Sequence, residues 1–322
     1  MRTRFLHKAL FAAVLLCLAV GIACSGGESA AEQTIVPVPS WDELRAVYEY
    51  DADIPLNAEF ERVNDTEYFS TDHITFDAVD GSRIPAILYL PKTENNEPVP
   101  CVLLLHGYGG DKESYGGVLA AFMAPMGIGV MAIDARLHGE RAREDVKLFS
   151  DDLQRTHDAM MDTVIDNRRA LDYLDTRPDI DHDRYLCMGL SMGAILGSVL
   201  GPVDDRIGSA ALIVGGGRLD ILVMQSDLGD VSKMREAGVT GEMLAEYLTD
   251  VEPVNFIGHF APRELLFVNG RDDDVVTPEC AQYLHEAADD PKEIVWYNGE
   301  HVPPPTVIMM SVGPFIQENL LQ

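Results

Sequence analysis

The chain has 322 residues, 47% of them hydrophobic, which is enough to bury one large core without requiring a second domain. Its 24 Lys and Arg stand against 53 Asp and Glu, a net charge of −29, and a surface of that sign repels nucleic acid and excludes it as a partner. The acidic excess marks a solvated surface and does not by itself select a substrate.

The first residues are organised differently. Arg2, Arg4 and Lys8 precede an apolar run from Ala9 to Ala23, the layout of an export signal and too short for a comfortable membrane span. Val20-Gly21-Ile22-Ala23-Cys24 resembles a bacterial lipobox, with Gly21 where leucine is usual. Residues 1–23 are therefore expected to be removed and Cys24 to be lipidated, anchoring an exported protein to the cell-envelope membrane. Cleavage by ordinary signal peptidase nearby is the alternative. Removal takes away three basic residues and no acidic ones, moving the net charge from −29 to −32. Beyond Cys17 and Cys24 only Cys101, Cys187 and Cys280 remain, an odd number that argues against a disulfide framework and for buried small hydrophobes.

Residues 24–39 are small, polar and proline-bearing, as suits a tether, and the folded domain is expected over 40–322. Ser40-Trp41-Asp42-Glu43 reads as a capping box, with Ser40 as N-cap of a short helix toward Tyr50. Strands are expected at His73–Phe76 and Ile84–Leu90 around the Asp80-Gly81 turn, a hairpin signal, with Pro91 ending the second.

From there apolar strands alternate with helical segments: Val102–Leu105, Gly129–Ile133, Tyr185–Met188, Ala210–Val214, Leu265–Val268 and Ile294–Tyr297. The pattern predicts a mainly parallel eight-stranded sheet with helices on both faces. Its longest helix is expected near Asp151–Asp175, where Met160, Val164, Leu171 and Leu174 recur at core-facing spacing. The segment 217–261 fits no strand and reads as a helical insertion, a cap after the sixth expected strand, in which Met224, Met234, Met243, Leu244 and Tyr247 are read first as packing residues.

Chemistry concentrates at four loops. Tyr185 through Ala194 places an apolar run, the pentapeptide Gly189-Leu190-Ser191-Met192-Gly193 and a helical start in succession, a nucleophile elbow that lifts Ser191 Oγ above the sheet edge. A serine needs a base and a third group to orient the base. Asp272-Asp273-Asp274 follows the strand Leu265–Val268 and His301 follows the last strand, so the order is serine, acid, histidine. The residues alone leave the acid open among the three aspartates. The glycine-rich loop His106-Gly107-Tyr108-Gly109-Gly110 offers the Tyr108 amide as one oxyanion donor and Met192 the other, with no proton-transfer role for His106. His138, His157 and His259 lack paired-ligand spacing and the aspartate run lacks a calcium-loop pattern, so neither a metal nor another cofactor is expected.

Over about residues 68–320 the chain resembles α/β-hydrolases of the dienelactone-hydrolase, acetyl-xylan-esterase and prolyl-oligopeptidase-catalytic-domain group. The stretches that carry the resemblance are 106–110, Asp134 through Arg141, 177–181, the elbow, Gly270 through Pro278, and His301. The resemblance implies Ser191 as nucleophile, His301 as base and an aspartate three residues after Gly270, hence Asp273. It implies a serine carboxylic-ester hydrolase acting on small-molecule esters, with a serine peptidase as the runner-up and a silent binding lipoprotein as a remote third. The stretch 134–141 is expected at the site's rim, with Arg136 and Arg141 in salt bridges.

Overall fold

The structure, a computed structural model, describes residues 37–93 and 97–321. The expected signal, the lipidation site at Cys24 and most of the tether fall outside the described residues. Among the described residues no helix is long and apolar enough to cross a membrane.

The sheet has nine strands, not eight: β1 Glu59–Asp65, β2 Phe69–Asp77, β3 Arg83–Pro91, β4 Val99–Leu105, β5 Gly129–Ile133, β6 Ile180–Leu190, β7 Ile207–Ile213, β8 Glu264–Gly270 and β9 Lys292–Tyr297. Their spatial order is β1-β2-β3-β5-β4-β6-β7-β8-β9. The pairs β1–β2, β2–β3 and β3–β5 are antiparallel and the remaining neighbours run parallel. β1 escaped the sequence reading because all seven of its residues are exposed, so no apolar run betrays it. It is a charged edge strand, Glu59, Glu61, Arg62 and Asp65 discouraging further pairing.

The strands β4 and β6 are buried on both faces, which is why they read as continuous apolar runs. Cys101, Leu103 and Leu105 of β4, with Tyr185 and Cys187 of β6, point into a core shared with α3 (Leu153–Asp175) and α4 (Met192–Val203). Val102, Leu104, Leu186 and Met188 point into the opposite core, closed by α2 (Gly116–Met123) and α9 (Pro305–Leu320). Cys101, Cys187 and Cys280 are free and buried.

The first helix, α1 (Trp41–Ala46), has the full capping box: the Ser40 side chain accepts from the Glu43 amide while the Glu43 carboxylate accepts from the Ser40 amide at 2.8 Å. It ends four residues short of Tyr50 because Tyr48 turns inward, fully buried, to donate to the Asp250 carbonyl at 2.6 Å. α3 carries more than an apolar stripe, since Asp166, Asn167 and Arg169 on it are also buried. Arg169 is satisfied by Asp172 at 3.0 Å and by the Ile54 and Pro55 carbonyls.

The insertion follows β7, the seventh strand once β1 is counted. It comprises α5 (Leu219–Gln225), α6 (Gly229–Glu236) and α7 (Gly241–Tyr247), then three 3-10 turns ending at Phe260. Met234 and Leu244 are packing residues, whereas Met224, Met243 and Tyr247 are exposed. Glu252 organises the insertion's two ends, its carboxylate accepting from the Arg218, Leu219 and Val254 amides; burial pushes it up to about 6. From outside, Trp41 of α1 stacks on His259 at 4.1 Å, and His157 of α3 bonds Asp250 at 2.7 Å.

His157 is raised to about 9, chiefly by the Asp250 hydrogen bond. An imidazole titrates near 6.5 in an unfolded chain, so this contact contributes its full stability below about pH 6.5 and loses it as pH climbs through about 9. His157→Gln is expected to lower the urea midpoint at pH 6, and the gap from wild type should close by pH 10. A gap that stays constant over that range would contradict the assignment.

Candidate active site

The elbow is a steric construction. Ser191 sits between β6 and α4 with φ +53° and ψ −115°, a backbone region that L-residues rarely occupy. Its amide donates to the Ile213 carbonyl of β7 at 2.8 Å, and its carbonyl accepts from the Ala194 and Ile195 amides. A Cβ at Gly193 would fall on the Leu105 carbonyl of β4, and one at Gly189 would fall on the Gly193 carbonyl. The two glycines of the pentapeptide thus let the first turn of α4 lie directly against the ends of β4 and β6.

Each remaining member of the predicted set comes from a loop at the same sheet edge. His301 follows β9, with its Nε2 2.8 Å from Ser191 Oγ. Its Nδ1 lies 2.8 Å from Asp273 Oδ2 and 3.0 Å from Oδ1. Asp273 is buried, whereas Asp272 and Asp274 are exposed, so the burial pattern separates three residues that the sequence cannot. Asp273 Oδ1 also accepts from the Val275 and Val276 amides, both at 2.9 Å, which fixes the carboxylate before it meets the imidazole. Tyr297 donates its hydroxyl to the Glu300 carbonyl at 2.6 Å and steadies the turn carrying His301. The proline run that follows sets Pro305 at the first position of α9, so rigidity after the histidine and a helix coexist.

The glycine loop after β4 faces the same serine. A Cβ at Gly107 would lie 3.6 Å from Ser191 Cβ. His106 is buried behind the loop: Nε2 accepts from the Ala135 amide at 3.1 Å, which leaves the proton on Nδ1 to be donated to the Gly107 carbonyl at 2.9 Å. Burial holds His106 and its neighbour His138 below the usual imidazole value, so both stay neutral in structural roles. Among the described residues, neither the Tyr108 nor the Met192 amide donates to a protein acceptor. The Tyr108 hydroxyl donates to Asp230 of α6 at 2.7 Å.

The stretch 134–141 forms a braced rim. Arg136 binds Asp166 at 2.7 and 3.1 Å and Asp80 at 2.6 Å, and Arg141 binds the same Asp166 at 2.7 Å. Asp134, fully buried, accepts from the Lys112 and Glu140 amides. Asp166 was not foreseen, because it lies well around α3 from the stripe of Met160, Val164, Leu171 and Leu174 and is buried by the rim instead. Asp230 left no signal either, being one acid among many in the insertion. No cluster of three or more His, Cys, Asp or Glu among the described residues is placed to hold a metal ion.

Comparison with known proteins adds to this geometry. The family model for acetyl xylan esterases (AXE1) matches residues 40–214. The relative YtaP of Bacillus subtilis is 27% identical over 166 residues, 48% of this chain and 55% of that protein. The esterase YjfP of Escherichia coli is 24% identical over 208 residues, 63% of this chain and 80% of that protein. The match thus spans about half of the first relative and more of the second. An acetyl xylan esterase from Paenibacillus sp. R4 superposes with a TM-score of 0.75 at 22% identity, covering 87% of this chain and 93% of its own, a likeness of fold.

Proposed function

The chain belongs to the acetyl xylan esterase (AXE1) family, and on that premise we propose that it is a serine carboxylic-ester hydrolase working through an acyl-enzyme, with short-chain acyl esters as substrates. The observation that carries this reading is the line of contacts from Ser191 Oγ through His301 to buried Asp273, at 2.8 Å on either side of the imidazole.

Ser191 Oγ attacks the acyl carbon as His301 Nε2 takes its proton, and Asp273 stabilises the imidazolium that results. The carbonyl oxygen becomes an oxyanion that the Tyr108 and Met192 amides stabilise. Collapse expels the alcohol, which takes the proton from His301 and leaves the acyl group on Ser191. Water then gives its proton to His301, adds to the acyl carbon, and the second collapse returns the proton to Ser191 and releases the acid. His301 carries every proton transfer, while Asp273 and the two amides stabilise the charges that develop.

A short acyl group is suggested by the acetyl xylan esterase family, and the Paenibacillus neighbour is itself an acetyl xylan esterase. The ester preference rests on leaving-group chemistry, since an alkoxide-like group needs less exact protonation than an amine. We also propose that the protein is exported and held at the envelope membrane by lipid on Cys24, a reading that the sequence motif supports.

Chromogenic acetyl to butyryl esters should be hydrolysed and aminoacyl amides poorly. Ser191→Ala should cost about 10⁶ in kcat. Asp273→Asn should keep the fold and cost about 10⁴, while Asp272→Asn costs little. A proline-specific or aminopeptidase substrate cleaved faster than every ester, and dependent on Ser191, would overturn the esterase reading in favour of a peptidase. Mass spectrometry of the mature N-terminus should find a diacylglyceryl-modified Cys24; an unmodified terminus beyond Cys24 would refute the anchor.

A further inference from the structure

We propose that Asp230 of the insertion is a positioning residue for the oxyanion hole, acting through the Tyr108 side chain on the Tyr108 amide; this rests on the serine-hydrolase reading above. The amide that would meet the oxyanion and the phenol that leaves the loop belong to one residue, so whatever fixes the phenol limits the direction of the amide. The phenol is fixed at both ends. Its ring packs against His138 at 5.3 Å and Phe149 at 5.1 Å, and its hydroxyl donates to Asp230 Oδ2 at 2.7 Å. The loop that bears it is otherwise glycine-rich, with Gly109 at φ +76°, and has little intrinsic stiffness of its own.

Asp230 is well placed to serve as the fixed end. It lies in the first turn of α6, where the helix dipole favours a carboxylate, and Lys233 and then Tyr108 hold it below the usual carboxylate range. The ion pair to Lys233 is an exposed i,i+3 contact of small worth, so the half-buried bond to the phenol is the one with structural consequence. Three residues earlier, the Asp227 amide donates to the Asp274 carbonyl at 2.9 Å, immediately after Asp273. The turn 227–230 therefore ties the insertion to the acid loop with one bond and to the oxyanion loop with another. It keeps the two halves of the site, donated by β4 and β8 from opposite sides of β6 and β7, in register. Neither bond touches substrate, so the effect falls on the transition state more than on binding.

The test compares Asp230→Ala, Tyr108→Phe, the double variant and Asp230→Asn on one short-chain ester, together with inhibition by an alkyl boronic acid. Boron accepts the Ser191 oxygen lone pair while the hydroxyl proton passes to His301, giving a tetrahedral adduct that reads the oxyanion hole directly. Loss of a whole oxyanion donor costs ~10²–10³ in kcat, so misdirecting one should cost roughly tenfold in each single variant, with KM little changed. Boronate affinity should weaken by a similar factor. The double variant should be no worse than either single one, and Asp230→Asn, which keeps an oxygen acceptor, should recover most of the loss. Tyr108→Phe removes a single hydroxyl and serves if Asp230→Ala fails to fold. Unchanged kcat and boronate affinity, effects confined to KM, or additive losses in the double variant would each overturn the proposal. If these variants behave as wild type while Ser191→Ala is dead, only this inference falls; if Ser191→Ala retains activity, the serine-hydrolase reading falls with it.

Discussion

The structure turns on the close approach of the first turn of α4 to the end of β4. Gly193 stands where any side chain would strike the Leu105 carbonyl, and Ser191, two residues earlier, holds a φ of +53° to make the approach possible. Strain of this kind, of order 1–3 kcal/mol, persists only when its surroundings over-determine it. Here they do: β7 captures the Ser191 amide, and every residue of α4 from Met192 to Val203 is buried. The serine hydroxyl is presented where the loops after β4, β8 and β9 can meet it, and the Met192 amide is left without a helical partner at the same point.

The second constraint is charge. In a chain of −29, anything that gathers acids near a reacting centre must also neutralise them. The rim does so by sharing: Asp166 takes both Arg136 and Arg141, and Asp134 takes two amides and Lys112. Removing one partner of a buried pair typically costs about 3–5 kcal/mol because the other charge is stranded. Asp273 is treated differently, with two amides and an imidazole and, among the described residues, no Lys or Arg, so its charge remains directed at His301.

What could be read from the sequence was whatever repeats with a period or is pinned by a rare residue. The central parallel strands announced themselves because both faces are buried, the hairpin through Asp80-Gly81, and the elbow through two glycines whose absence of side chains is sterically required. β1 was invisible because it buries nothing. Asp273 could be chosen among three aspartates only by resemblance, since which one turns inward depends on the Val275 and Val276 amides that receive it. Asp230 was invisible for a related reason: its importance comes from Tyr108, 122 residues away, and no local pattern encodes a partner at that separation.

The central claim is that Ser191 is a nucleophile activated by His301. A fluorophosphonate probe tests it most directly, because serine oxygen attacks phosphorus and fluoride leaves only where a base takes the hydroxyl proton. Peptide mapping after reaction at neutral pH should place one phosphonyl group on Ser191, and prior denaturation should abolish labelling. A phosphonyl group on another residue, or no adduct on the folded protein, would contradict the account.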